Sequence, residues 1–197
     1  AEAARYYDAL GVNRISESIE IDHGQCAYYP LVPLMTRLLD AGDTAALSVL
    51  WHGYTWLLFV LGVWALYGLL REMGMGRALS LCGMLLLFLC PRFFAEGHYN
   101  NKDVVLLSLA LGVFWLGLRF LKSPTAARGA LFSLVGAMAA NTKIVGLAPW
   151  GMLALCAVAL VTARRDWSAR MALTALATAL TFAAVYALLT PAMWSGP

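Results

Sequence analysis

The sequence predicts an all-α, polytopic membrane protein with about six transmembrane helices and an outward first loop carrying an interfacial helix. Three observations lead there. Of 197 residues, 61% are apolar, enough for roughly six spans of ~20 residues. Only 13% are charged and the mean hydropathy is +0.72, so a water-soluble core of this size would leave a large apolar surface exposed. Most of the charges also lie between apolar runs rather than inside them. A net charge of +3 in such a chain reports on loop placement, and nucleic acid is excluded as a partner.

Residues 1–49 are polar and mixed and cannot span. They form the first region, ahead of a helical region over 50–197. Within them Leu31, Val32, Leu34, Met35, Leu38 and Leu39 follow Pro30, a pattern suited to an amphipathic helix lying in the membrane plane. Spans are expected near 50–70, 78–95, 104–121, 129–142, 144–163 and 171–189. The apolar stretch 129–163 is divided in two because a single helix of that length would measure ~52 Å against a hydrocarbon core of ~30 Å. A turn at Asn141-Thr142-Lys143, with Gly146 and Pro149 nearby, supplies the break. Cys82, Cys90 and Cys156 sit in apolar runs and Cys26 in a polar stretch, with neither disulfide nor zinc-ligand spacing.

Charge sets the orientation. Arg71, Arg77, Arg119, Lys122, Arg128, Arg164, Arg165 and Arg170 fall on one side, accompanied only by Glu72 and Asp166. The other side holds the remaining six Lys and Arg and nine of the eleven acids. The short basic loops are therefore expected to face the cytoplasm, and residues 1–49 and 91–103 to face outward.

The outward segment Pro91 to Asp103 packs Arg92, Glu96, His98, Lys102 and Asp103 against hydrocarbon, more titratable groups than a plain hairpin needs. Asn100 followed three residues later by Asp103 can cap the next helix. Arg92 and Lys102 can snorkel, or can hold the phosphate of a lipid at a helix N-terminus. A carboxylate there can take a proton from an acceptor or bind a divalent metal, and His98 with Tyr99 is either hydrogen-bonded or a metal ligand. Lys143, between two apolar segments with no acid nearby in sequence, is expected to meet an anion or a carboxylate from another loop.

The run Phe94-Ala95-Glu96-Gly97-His98-Tyr99-Asn100-Asn101-Lys102-Asp103 resembles a loop of bacterial phospholipid-carrier-dependent glycosyltransferases. These are similar to protein O-mannosyltransferases and lipid A aminoarabinose transferases of the GT-C fold. Ala140-Asn141-Thr142-Lys143-Ile144-Val145-Gly146-Leu147 resembles a turn of the same enzymes, and Tyr28-Tyr29-Pro30-Leu31 the end of their first outward loop. The resemblance implies inverting transfer of a sugar from a polyprenyl-phosphate carrier to an acceptor, whether protein, lipid or glycan, outside the bacterial inner membrane. It implies an acidic residue near the start of the chain as base or metal ligand. Ala1-Glu2 stands about where the family carries an Asp-Glu pair, so Glu2 matches the second member and the Asp is either replaced or cut away. Because members have roughly twice as many spans, it also implies that the chain is an N-terminal half.

The expected site is therefore Glu2, Asp8 and Asp103 as acid–base residues, with Arg92, Lys102 and Lys143 on the lipid phosphate. Glu96, His98, Tyr99 and Asn100 support the loop, and a divalent metal is an option with no assigned ligands. A polytopic transporter or flippase-like protein is the alternative, in which Lys143 and the 91–103 loop line a substrate path.

Overall fold

The computed structural model describes Tyr28 and residues 31–190. In chain order these form α1 (Val32–Asp40), α2 (Thr44–Glu72), α3 (Arg77–Leu89), α4 (Pro91–Glu96) and α5 (Asp103–Lys122). There follow α6 (Ala126–Thr142), a 3-10 turn (Ile144–Gly146), α7 (Leu147–Arg164) and α8 (Ala169–Leu188). No strand occurs among the described residues.

Four helical segments are long and apolar enough to cross a membrane: Thr44–Glu72, Asp103–Lys122, Ile144–Arg164 and Ala169–Leu188. Four of the six expected spans have such a helix among the described residues. The stretch expected to span 78–95 is split, because Pro91 has no N–H to continue α3 and instead opens α4 at its first position. The other short helix, α6, has 17 residues and is rich in small ones. Gly129, Phe132, Ser133, Gly136, Ala137, Ala139 and Ala140 are buried, so protein rather than lipid surrounds it and its hydropathy can be lower.

Helix ends obey local chemistry. The first long helix begins at Thr44, six residues before the apolar run, because Gly42 takes a left-handed φ of 70° and the Asp43 carboxylate accepts from Ala46 N at 2.9 Å. Thr125 and Ser168 cap α6 and α8 in the same way, accepting from Arg128 N at 3.3 Å and Met171 N at 3.4 Å.

Contacts define two ends of the bundle. At the basic end Glu72, closing α2, receives Lys122 Nζ at 2.8 Å and Arg119 Nε at 3.7 Å, both from the last turn of α5. Arg128 donates to the carbonyls of Arg119 and Ser123 beside them. At the opposite end Asp103, opening α5, meets Lys143, which follows α6. Thus α2 and α5 run in the same direction, and α6 returns along the full length of α5.

The apolar face of α1 lies across that opposite end. Met35 is buried with Leu47 and Leu189, against Leu38, Leu39, Trp51, Met138 and Val185. The amphipathic pattern is therefore covered in good part by the helix ends, with Leu34, Arg37 and Asp40 left exposed. Just before it, Tyr28 is fully buried, stacked on Trp51 at 4.4 Å, with its hydroxyl 2.6 Å from Thr55 Oγ1. Burial pushes the Tyr28 hydroxyl up to about 12, so it is neutral and the contact is an ordinary hydrogen bond. Tyr28→Phe is expected to lower stability by about 1 kcal/mol, because Thr55 Oγ1 keeps its bond to Trp51 O. Detergent-titrated unfolding reads this directly, and a loss above ~3 kcal/mol would show that the hydroxyl holds more than Thr55.

Candidate functional site

The 91–103 segment is built from α4 and the turn after it. Glu96, at the end of α4, accepts Arg92 Nε at 2.9 Å on one carboxylate oxygen and Asn100 Nδ2 at 3.1 Å on the other. Asn100 then accepts from Asp103 N at 2.8 Å and Lys102 N at 3.3 Å, which starts α5. The expected cap by Asn100 is present. Asp103 does not return to the cap as a capping-box partner would; its carboxylate is on Lys143.

His98 is held against α2. Its ring stacks on Trp56 with centroids 4.2 Å apart, its Nδ1 is 2.9 Å from Phe94 O, and its backbone carbonyl is 2.7 Å from His52 Nδ1. A carbonyl can only accept, so Nδ1 carries the proton on both rings. His98 thus follows the hydrogen-bonded reading. Gly97 is buried against Phe59, and a Cβ there would lie 2.8 Å from that ring. Tyr99 is exposed.

Lys143 has an extended backbone (φ −150°, ψ 143°) that ends α6 and turns its side chain toward α5. Forty positions separate it from Asp103, and the two side chains form an ion pair exposed to solvent. This is the carboxylate from another loop that its sequence setting called for. The turn behind it is firmly held. Asn141 is buried and donates to Ala137 O at 3.1 Å and Tyr186 O at 3.4 Å, while its Oδ1 accepts Thr190 Oγ1 at 2.7 Å. Thr142 is also buried, with its hydroxyl on Met138 O at 2.9 Å.

The structure thus brings together Asp103 and Lys143, and separately ties Arg92, Glu96 and Asn100 into one chain of bonds leading to Asp103 N. Arg92 is exposed and engaged by Glu96. Glu2 and Asp8 lie outside the described residues. Among the described residues no group of three His, Cys, Asp or Glu side chains is arranged to hold a metal ion.

Two supports were not singled out from sequence as site residues. His52 reads as an ordinary residue in an apolar run, and Thr190 as a tail beyond the last span. The signal for the first is a charged-type side chain nine residues past a helix cap, level with the outward loop. The second is visible only once Asn141 needs a partner. Comparison with family models, curated proteins and solved structures yields no match.

Proposed function

We propose that this protein is a membrane glycosyltransferase that moves a sugar from a polyprenyl-phosphate carrier to an acceptor at the end of the bundle opposite the basic loops. One observation carries the reading: the Asp103–Lys143 pair, contributed by helix ends forty positions apart, is exposed at that end beside the Glu96–Asn100 network. A carboxylate and an ammonium are the two groups such a transfer uses. The acceptor oxygen or nitrogen attacks C1 of the sugar, the bond from C1 to the lipid-phosphate oxygen breaks, and the acceptor proton passes to the carboxylate. Lys143 stabilises the charge on the departing phosphate.

The pairing gives a reason for order. At rest each charge neutralises the other. A phosphate arriving at Lys143 displaces Asp103, and the freed carboxylate becomes available for the acceptor. Lys102, adjacent to Asp103 in sequence, and Arg92 add positive charge on the same segment, and further acids for the proton are Glu2, by family resemblance, and Asp8, as a nearby carboxylate in sequence.

The same proposal places the chain in the bacterial inner membrane, with the basic end cytoplasmic and the site periplasmic. It counts six crossings, α6 covering about 26 Å of a hydrocarbon thickness of ~30 Å and Arg77 to Glu96 crossing as the two helices α3 and α4. The transporter reading gains less, because the charged side chains of the described helices gather at their ends, whereas a substrate path needs them near the midplane.

The test is release of labelled sugar from a polyprenyl-phosphate donor by the protein reconstituted in vesicles. Asp103→Asn is expected to slow transfer ~100-fold or more, as for loss of a general base. An unchanged rate removes Asp103 from the chemistry.

A further inference from the structure

Helices α7 and α8 differ from the other two long segments: only 11% of each apolar span is buried in the protein, against 39% and 44% for α2 and α5. Helix α7 packs on both α5 and α6 and α8 on α6, and the two meet each other through the Trp150–Phe182 stack at 3.9 Å. Between them lies an apolar groove of about 280 Å³, floored by Phe120 and lined by Trp150, Ala157, Trp167, Met171 and Ala175. It runs from Trp150 to Val161, about 16 Å along α7, roughly one leaflet's half of a ~30 Å core.

The lining is almost wholly apolar, and two of its polar groups are engaged elsewhere. Trp150 Nε1 donates to Ser133 Oγ at 3.2 Å, and Thr178 Oγ1 donates to Thr174 O at 2.7 Å. Hydrocarbon is therefore what fits inside. At its basic end the groove continues past Phe120 and Met171 into a smaller recess bordered by Arg164 and Asp166. Arg165 and Arg170 lie exposed on either side of Asp166, so this end carries three guanidinium groups against one acid.

We infer that the groove between α7 and α8 holds an acyl chain of an anionic phospholipid whose phosphate sits among Arg164, Arg165 and Arg170. Apolar length and cationic mouth together select this occupant: a zwitterionic lipid satisfies the groove but brings no net charge to the arginines, and an apolar helix brings none either. The inference rests on the chain being membrane-embedded and is independent of the transferase reading, since nothing in it involves the opposite end.

Trp150 and Trp167 both border the groove and serve as probes. The full chain is reconstituted in phosphatidylcholine vesicles containing about 10 mol% of brominated phosphatidylglycerol or brominated phosphatidylcholine. The groove signal is the quenching lost in the Trp150→Phe, Trp167→Phe variant. We expect brominated phosphatidylglycerol to quench it at least about twofold more than brominated phosphatidylcholine, and the Arg164→Gln, Arg165→Gln, Arg170→Gln variant to equalise the two. Equal quenching in the unmodified protein overturns the inference without recourse to any variant. Absence of quenching by either lipid also overturns it, and assigns the groove to a protein segment or a second copy of the chain.

Discussion

Replacing Gly146 with alanine is expected to destabilise the protein by about 3 kcal/mol, the upper part of the range for adding one methyl group to a packed interior. Gly146 is buried in the turn between α6 and α7, with φ of −64°, so its conformation suits any residue. Space is what it lacks. A Cβ would fall inside the carbonyl group of Ala139 and within 3.0 Å of Ala140 N. These are backbone atoms in the last turns of α6, and no rotamer change moves them. To admit the methyl, the turn must lift from α6, which disturbs the buried Asn141 and Thr142 and the position of Lys143. Gly151, one turn into α7, is the control, since a Cβ there meets nothing within 4 Å. Gly151→Ala is expected to be neutral or to stabilise by up to about 1 kcal/mol through helix propensity. Detergent-titrated unfolding of the two variants separates the explanations; equal effects at both positions would show that helix propensity, not the contact with Ala139, governs this turn.

The helical class and most of the long spans are legible because apolar runs near 50–70, 104–121, 144–163 and 171–189 are continuous, the first three ending at basic residues and the last starting after Arg170. The start of α2 is less visible, since Thr44 to Val49 is only moderately apolar and follows two aspartates; the Asp43 cap after Gly42 decides it. At Cys90-Pro91 the apolar pattern continues where the backbone cannot, so a run suggesting one span yields two helices. Hydropathy also understates α6, because its small residues serve helix approach rather than contact with lipid.

At the candidate site, the need of Lys143 for an acid could be read from its apolar surroundings, and the capping role of Asn100 from its spacing to Asp103. The choice of Asp103 as the acid could not. It follows from α6 running back along α5, so that the end of one helix arrives at the start of the other. Thr190 reaches Asn141, 49 positions away, because α8 runs parallel to α6 and the two helices finish at the same end.

Reversing the pair, with Asp103→Lys and Lys143→Asp in one chain, is expected to separate its tether role from its chemistry. As a tether the pair is worth little: exposed ion pairs contribute about 0–1 kcal/mol. Each single charge reversal places like charges together, and the double reversal is expected to regain that loss, leaving unfolding within about 1 kcal/mol of the unmodified protein. Transfer makes different demands. With Lys at 103 the α5 N-terminus has no carboxylate to accept a proton, and with Asp at 143 a lipid phosphate meets negative charge. The double variant is therefore expected to remain at least ~100-fold slow, about 2.7 kcal/mol in activation free energy, although its fold is restored. That difference exceeds anything an exposed ion pair supplies structurally, so the two roles are resolved by magnitude alone. Recovery of transfer together with stability would mean that the pair positions the loop and that the proton and phosphate are handled elsewhere. Retained slowness with recovered stability assigns the chemistry to the charges as they stand, the carboxylate on α5 and the ammonium after α6.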